Sequence, residues 1–542
     1  MREKALTGVG GALLLAGLLA AYGNHFQNSF HFDDAHTVVN NAAIRELRNV
    51  PRFFSDATTF SALPSNQSYR PLVSTLLAID YSLGHGLRPF WFHLSIFALF
   101  VGLVLLVRFV VKQLLDQVAA SPANSLIALA IAALYGLHPA NADTVNYVIA
   151  VAEIMSALGI VGSFAIYFAF PQLRRYYLYV LPAALGVLAK PPTAIFPVLF
   201  ALYRLVFCSD DVRDSQRHVG GLILHKNVVT TWLREIAPPF LICAAMLLFT
   251  QAMTPSTWIS GAANARNYLI TQPYVALLYF RTFFWPSGLS ADYDLDPLTT
   301  TEDARFCAGV VFVALLVTMS ILCACFKRTR VVGFGLLWFL VTLLPTSLFP
   351  LAEVMNDHRT FLPYIGLVIA LAGVAVLFEP VVIARPVAVK AALAAIVLLV
   401  LSLSGYATFE RNKVWQTEQT LWRDVTLKGP RNPRGLMNYG NTLMATGDFA
   451  GALDYFHRAL ALAPQYPVLL INLAVAEDAT NDGAGAEQHF REALRLAPSL
   501  PDSYTFYARA LLARFRIDEA RALLQTALTL SPSDVTARDL LA

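Results

Sequence analysis

The chain has 542 residues, of which 56% are hydrophobic and only 14% are charged. Soluble globular proteins carry roughly 25% charged residues, so this composition excludes an ordinary soluble enzyme and indicates a polytopic membrane protein. The formal net charge of +4 is small for this length and gives no reason to expect nucleic acid as a partner. Apolar segments fill residues 1–406, whereas residues 430–542 have the composition of a soluble helical domain.

The first part of the chain contains eleven candidate membrane spans separated by short polar loops. They lie near residues 6–22, 90–111, 124–141, 145–170, 176–189, 192–207, 236–253, 306–326, 331–349, 361–379 and 389–406. The first of them resembles a signal peptide, but we interpret it as an uncleaved span because many spans follow. A twelfth apolar stretch, 268–287, has Arg281 in its middle, so we predict an interfacial or re-entrant segment there.

Lysine and arginine in the short loops set the orientation. Arg2 and Lys4 precede the first span, and Lys327 and Arg328 lie between two later spans. The excess of basic residues on the cytoplasmic side places these loops in the cytoplasm. Four polar segments then share the outer face, namely 23–89, 138–153, 254–305 and 350–360, and the C-terminal domain is also outside.

The first outer segment begins with an acidic turn, Phe32-Asp33-Asp34. Two adjacent carboxylates repel each other, so the pair suits a general base or a divalent metal site. Asp34 can instead cap a helix that begins at Ala35. Further on, Ile44 to Phe54 alternates apolar and basic residues at helical spacing, which predicts an amphipathic helix on the membrane surface.

Several polar residues of the outer segments are candidates for lining a cavity. Glu153 is costly in lipid and should therefore face such a cavity, and the positive charge of Lys190 sits at a helix break made by two prolines. Arg70 and Arg359 have the planar fork that pairs with phosphate, although each can also be a surface or interface residue. The remaining candidates are His138, which can be a structural turn residue, His358 and Asp292.

Residues 430–542 contain a repeat. Pro430, Pro464, Pro498 and Pro532 are spaced by 34 residues, with small and large apolar positions recurring between them. This pattern predicts about three tetratricopeptide repeats, each a pair of packed helices. We therefore expect an all-α protein with a membrane domain at 1–406, a linker helix at 407–429 and a tetratricopeptide α-solenoid at 430–542.

Taken together, the motifs resemble those of the transmembrane and tetratricopeptide-repeat-containing O-mannosyltransferases and their bacterial relatives, within the GT-C glycosyltransferase superfamily. The resemblance covers nearly the whole chain and combines the motif order with the repeats. The motifs are Phe32-Asp33-Asp34, Leu137-His138-Pro139 with Ala152-Glu153, Trp285-Pro286 with Leu289 to Tyr293, and His358 to Tyr364.

The resemblance implies a GT-C membrane fold and transfer of a sugar from a polyprenyl-phosphate donor to a hydroxyl of a protein or glycan, with inversion at the anomeric carbon. One carboxylate of Asp33 and Asp34 would be the base, and we favour Asp34. Arg359 and Lys190, with Arg70, would hold the lipid phosphate, and His138, Glu153, His358 and Asp292 would line the cavity. The site and the repeats would face the periplasm of a bacterial inner membrane. No cofactor is implied, apart from a divalent metal at the two aspartates if one is used.

The chain departs from the family pattern at three positions. Val151 stands where the family tends to have arginine, Pro191 follows Lys190 where an acidic residue is frequent, and His358 precedes Arg359 in place of glutamate. These changes bear on the identity of the donor more than on the reaction class.

Three other functions remain open from the sequence. The first is a glycosyltransferase that acts on a lipid or a polysaccharide, with repeats that recruit assembly partners. The second is a membrane scaffold without catalytic activity, whose repeats bind peptides. The third is a transporter, which the polar outer loops disfavour.

Overall fold

A computed structural model describes residues 2–207, 223–259, 261, 264–532 and 534–542. Helices are the regular elements of these residues, which hold no strand. The predicted all-α class is therefore confirmed. The chain divides into two compact units: a membrane unit of residues 1–289 and 295–416, and a repeat unit of residues 290–294 and 417–542.

The α-helices of the membrane unit follow one another along the chain with short connections. Their bounds are Arg2–Tyr22, Val50–Phe53, Pro71–Leu83, Pro89–Asp116, Ala123–Gly136, Asn141–Asn146, Val151–Ala169, Leu181–Val187, Phe196–Phe207, Ile223–Met253, Ala265–Phe284, Ala304–Cys325, Arg330–Leu348, Phe361–Ile383 and Val387–Val414.

Among the described residues, eight helical stretches are long and apolar enough to cross a membrane. They are Gly8–Gln27, Pro89–Asp116, Val148–Ala169, Leu233–Met253, Ala304–Cys325, Arg330–Leu348, Asp357–Ile383 and Val387–Val414. Each coincides with a predicted span. The chain is thus a multi-pass membrane protein.

Three of the eleven predicted spans are shorter apolar helices, Ala123–Gly136, Leu178–Val187 and Pro191–Phe207. The last two flank Lys190, whose backbone is extended, and Pro191 begins a 3-10 turn there. Proline has no N–H to continue the first helix, which explains the break. The stretch around Arg281 forms one continuous helix, Ala265–Phe284, which is not among the eight. The full span count stays a prediction.

Two helices of the membrane unit, Arg330–Leu348 and Phe361–Ile383, cross at a pair of glycines. A Cβ added at Gly366 would lie 2.5 Å from the carbonyl oxygen of Gly335, and one added at Gly335 would lie 2.4 Å from the amide nitrogen of Ala370. Small residues let membrane helices approach until their backbones touch. This close crossing fixes the helix that follows the outer segment of His358 and Arg359.

The prediction of an amphipathic helix from Ile44 to Phe54 is wrong. The chain instead forms short turns, Ala42–Arg45, Leu47–Asn49 and Val50–Phe53, because Glu46 adopts an extended backbone between the first two.

The repeat unit consists of successive helices that pack in pairs, one pair to each repeat, as predicted. Positions 34 residues apart are buried equivalently: Ala452, Ala486 and Ala520 are fully buried in successive repeats. Small residues at these positions let the paired helices pack closely. The helices are Glu418–Lys428, Pro433–Ala445, Phe449–Leu462, Pro467–Ala479, Gly483–Leu496, Pro501–Ala513, Ile517–Leu530 and Val535–Leu541.

The predicted linker 407–429 is divided between the units. Residues 407–414 continue the last helix of the membrane unit, and Glu418–Lys428 is the first helix of the repeat unit.

Candidate active site

The acidic turn is held in place by Asp34. Its carboxylate is fully buried and accepts three backbone N–H groups, from His31 at 3.0 Å, Val148 at 3.3 Å and Ile149 at 2.9 Å. Burial raises the pKa of Asp34 to about 7, against the lowering effect of these hydrogen bonds. The side chain therefore ties the turn to the 3-10 segment Val148–Ala150 and presents no open oxygen to a substrate.

Asp33 has a different environment. Its side chain is 57% exposed, and one carboxylate oxygen lies 3.4 Å from Nε2 of His36. Its backbone N–H donates to the hydroxyl of Tyr147 at 3.1 Å. Partial burial by itself raises the pKa of Asp33, but the hydrogen bond from His36 and the charges of His36 and Arg70 outweigh it, so the net pKa is lowered. Asp33 is thus an accessible carboxylate that stays ionised.

Phe32, the first residue of the turn, has a left-handed backbone with φ of +50°. Such strain in a residue with a side chain costs about 1–3 kcal/mol and persists where the surroundings impose it. Its ring lies 5.5 Å from that of Tyr147 and 6.0 Å from that of Trp415. The carbonyl of Trp415 also accepts a hydrogen bond from His31 at 2.7 Å. These contacts impose the turn.

Behind the turn, three buried asparagines join separate helices. Asn28 donates to the side-chain oxygen of Asn146 at 2.5 Å, and Asn146 donates to that of Asn412 at 2.6 Å. Asn412 donates in turn to the carbonyl of Ala21 at 3.0 Å. Buried amides are stable when their partners are present, so this chain of bonds fixes the first span, the helix Asn141–Asn146 and the end of the last span together.

Three basic side chains are close enough for their charges to interact. The charges of Arg70 and Arg359 both act on the ammonium group of Lys190, and Arg70 also acts on Asp33. Lys190 forms an ion pair with Glu153. The structure therefore brings together four residues that the sequence singled out separately, in a setting that can receive an anion.

Two of these arginines have further contacts. The guanidinium of Arg70 lies over the ring of Phe60, 5.1 Å from its centroid, and its Nε is buried without a hydrogen-bond partner. Arg359 donates to the carbonyl of Glu353 at 2.7 Å and lies 3.6 Å from its carboxylate. Arg70 is therefore the arginine with more bonding capacity left for a ligand.

His358 lies among the same groups. The charges of Lys190, Arg359 and Asp33 act on it. Its ring centroid is 6.4 Å from that of Tyr147, and its Nδ1 is 3.8 Å from the carboxylate of Asp143. His358 thus interacts with both the basic residues and Asp33 of the acidic turn.

Two predicted cavity residues lie elsewhere. Both ring nitrogens of His138 are engaged locally, one with the carbonyl of Phe283 at 2.9 Å and the other with the N–H of Ala140 at 3.3 Å. We therefore interpret His138 as a buried turn residue. Asp292 belongs to the repeat unit, where it forms an ion pair with Arg434 at 2.7 Å.

The sequence did not identify Tyr147, Trp415 and Asn412 as part of the site. A tyrosine and a tryptophan near the ends of spans are ordinary interfacial anchors, so their residue types carried no signal. The one signal in the sequence was Asn412 itself, a polar residue at the end of a long apolar segment, where it could have been expected to bond to a buried partner.

The two aspartates do not form a chelating pair, because the oxygens of Asp34 accept backbone N–H groups. Across the part of the chain that the structure describes, no group of three or more His, Cys, Asp or Glu residues is placed to hold a metal ion.

Residues 433–466 and 479–542 match sequence models described as tetratricopeptide repeat. Among solved structures, the first TPR of Spaghetti (RPAP3) bound to an HSP90 peptide matches 20% of this chain and 86% of that chain, at 27% identity. The TM-score of 0.20 supports no inference from that likeness.

Curated relatives match both units. Protein O-mannosyl-transferase Tmtc3 of Drosophila melanogaster is 24% identical over 512 residues, which cover 82% of this chain and 54% of that protein. Human protein O-mannosyl-transferase TMTC4 is 22% identical, with 82% and 65% covered, and human TMTC1 is 24% identical, with 86% and 56% covered. The chain therefore spans between about half and two thirds of the length of these relatives. Its homologues are protein O-mannosyl-transferases, and the resemblance indicated by its motifs and repeats is confirmed.

Proposed function

We propose that the protein is a membrane glycosyltransferase that transfers a sugar, mannose by analogy with its homologues, to a hydroxyl of a protein acceptor. The donor is a polyprenyl-phosphate sugar, and the reaction takes place on the non-cytoplasmic face, which in a bacterium is the periplasmic face of the inner membrane. The observation that carries the proposal is the accessible carboxylate of Asp33, which interacts with the charge of Arg70, together with the grouping of Arg70 and Arg359 around Lys190.

Asp33, rather than Asp34, is the base in this proposal. A pKa of about 7 would suit Asp34 for the role, but a base must first reach the proton, and the oxygens of Asp34 are buried against three N–H groups. The carboxylate of Asp33 is exposed and ionised. Asp34 is then a positioning residue that fixes the turn.

In the reaction, Asp33 accepts the proton of the acceptor hydroxyl while the hydroxyl oxygen bonds to the anomeric carbon. The bond between that carbon and the phosphate oxygen breaks, and polyprenyl phosphate leaves with the electron pair. Attack from the face opposite the phosphate inverts the anomeric centre. The phosphate is already a good leaving group, so the protein mainly has to orient the two reactants and activate the hydroxyl.

Arg70, Lys190 and Arg359 would hold the donor phosphate. Hydrogen bonds from three cationic side chains to the phosphate are charge-assisted, and they would replace the hydrogen bonds that the phosphate makes with water. Glu153 and Glu353 keep two of these cations paired. They therefore limit the net charge of the cluster and keep it compatible with burial.

The repeat unit would recruit the protein acceptor or an assembly partner. Tetratricopeptide repeats stack into extended surfaces that bind peptides and proteins. Such recruitment raises the local concentration of an acceptor without adding contacts at the acidic turn.

The proposal is tested in cells that lack the gene and are complemented with the wild type or with Asp33→Asn. Mass analysis of total glycoproteins and glycolipids identifies the product that depends on the gene. We expect a protein-linked mannose that disappears with Asp33→Asn, because loss of a general base lowers the rate by about 10²–10⁴-fold.

The matched control is Asp56→Asn, a partly exposed carboxylate in the same outer segment that pairs with Arg52, and it should leave glycosylation unchanged. A gene-dependent glycolipid without a glycoprotein would move the acceptor to the lipid class. Unchanged glycosylation with a correctly inserted Asp33→Asn protein would refute the enzyme and favour the scaffold.

A further inference from the structure

One buried carboxylate of the membrane unit lacks the hydrogen bonds that such a group normally has. Asp143, on the helix Asn141–Asn146, is 2% exposed, and neither of its carboxylate oxygens has a hydrogen-bond partner. Nearby, the equally buried carboxylate of Asp34 accepts three N–H groups. Buried polar atoms are almost always bonded, so the unbonded oxygens of Asp143 point to a partner from outside the chain.

A second unbonded atom faces this carboxylate. Nδ1 of His358 is buried, has no hydrogen-bond partner and lies 3.8 Å from Oδ1 of Asp143. That separation is too long for a direct hydrogen bond, but one oxygen atom can stand about 2.8 Å from both. A hydroxyl fits both atoms, because it donates its proton to the carboxylate and accepts from the imidazole N–H.

Access to this gap is from the histidine side. The side chain of His358 is 21% exposed, whereas that of Asp143 is 3% exposed. Burial raises the pKa of Asp143 to about 7, and the positive charge of Arg411 opposes that rise and favours the ionised carboxylate. A ligand hydroxyl would therefore pass the imidazole and meet an acceptor carboxylate behind it.

The position of His358 indicates which hydroxyl this is. The charges of Lys190 and Arg359, which would hold the donor phosphate, act on His358, and so does that of Asp33, which would receive the acceptor proton. The sugar being transferred must lie between its phosphate and the acceptor. We propose that Asp143 and His358 bind one hydroxyl of the donor's sugar, an assignment that rests on the proposed function and deepens it.

The test measures binding to the full-length protein in detergent. The probes are a polyprenyl-phosphate mannose, the same polyprenyl phosphate without sugar, and four mannose donors that each lack one of the sugar's hydroxyls, at C2, C3, C4 or C6. The wild type should bind one of the four deoxy donors about tenfold more weakly than the parent, which corresponds to about 1.4 kcal/mol. Asp143→Asn should bind the parent about tenfold more weakly and no longer distinguish it from that deoxy donor.

Two further variants keep the result unambiguous. His358→Gln should abolish the same preference, and it carries the test if Asp143→Asn does not fold. Asp80→Asn removes the charge of another buried carboxylate, one that bonds Ser95 at 2.9 Å, and it should leave every affinity unchanged. All three variants should bind the sugar-free polyprenyl phosphate as the wild type does.

The possible failures are separable. The inference is overturned if Asp143→Asn and His358→Gln keep the wild-type deoxy pattern, or if they weaken the sugar-free lipid as much as the mannose donor. The proposed function itself fails if the wild type binds neither the mannose donor nor the sugar-free lipid.

Discussion

Asp33 and Asp34 are adjacent in the chain, yet their oxygens face different surroundings. The backbone of Phe32, with a φ of +50°, precedes a turn in which the carboxylate of Asp33 is exposed and that of Asp34 is buried in the unit. Only the buried one is fixed by main-chain donors. A pair that reads from the sequence as one acidic motif thus divides into a buried carboxylate that fixes the turn and an accessible carboxylate, which we propose as the base.

Stability should distinguish the two aspartates. Asp34→Ala leaves three buried N–H groups without an acceptor, which should lower the free energy of unfolding by about 3 kcal/mol or more. Asp33→Ala alters an exposed side chain and should change it by less than about 0.5 kcal/mol. Thermal unfolding of the detergent-solubilised protein measures both. Equal losses for the two variants would contradict the assigned roles.

His36 should control the pH at which Asp33 becomes active as a base. Its hydrogen bond and charge lower the pKa of Asp33 against the opposing effect of burial. His36→Gln removes that stabilisation of the carboxylate, so the pKa of Asp33 should rise. In a plot of transfer rate against pH, the acid limb, where the rate falls as Asp33 becomes protonated, should then move to higher pH. His85→Gln, an exposed histidine of the same outer segment, is the control that should leave the limb in place.

At the scale of elements, the ion pair of Glu153 and Lys190 connects the helix Val151–Ala169 to the proline break before Pro191. Lys190→Met leaves a buried carboxylate without a counter-charge and should cost about 3–5 kcal/mol. The double variant Glu153→Gln with Lys190→Met should recover most of that stability, because neither charge remains buried. It should not recover transfer, because the phosphate has still lost a cation. Recovery of transfer would exclude Lys190 from donor binding.

The glycine crossing of Arg330–Leu348 and Phe361–Ile383 gives a second test at this scale. A methyl group at Gly366 would meet backbone atoms at 2.5 and 2.6 Å, which cannot yield as a flexible side chain can. Gly366→Ala should therefore destabilise the protein by about 1–3 kcal/mol. Gly102 lies inside another span with nothing within 4 Å of the added Cβ, and Gly102→Ala should be neutral or stabilising in the same unfolding assay.

The sequence predicts elements here better than it predicts contacts. Apolar runs of span length and the spacing of Ala452, Ala486 and Ala520 are local signals, so the long spans and the repeats could be located. The hydrogen bond between Asn146 and Asn412 joins residues far apart in the chain, and only tertiary packing creates it. Asp292 shows the converse: an acidic residue in an outer segment looked like a cavity residue but pairs with Arg434.

At the scale of the whole molecule, the two units differ in what stabilises them. The membrane unit exposes apolar side chains such as Leu398 and Leu403, which lipid can cover, and buries polar networks behind the acidic turn. The repeat unit buries alanine and aromatic residues at a fixed period. This difference follows from the surroundings of each unit. In lipid, an apolar side chain gains nothing by moving from lipid to a protein interior, whereas in water the burial of apolar side chains drives the packing of helices.

The orientation of the molecule in the membrane is the prediction with the widest consequence. Basic residues such as Arg108 and Lys112 at one end of Pro89–Asp116, and Lys327 and Arg328 between two later spans, assign those ends to the cytoplasm. With eleven spans and Ala265–Phe284 not crossing, the acidic turn and the C-terminus are both outside. A reporter enzyme that is active only outside the cytoplasm should work when fused after Ala542 and fail when inserted at 327–329. Activity in the reverse pattern would contradict the orientation, and an inactive fusion at both sites would mean that the span count is even.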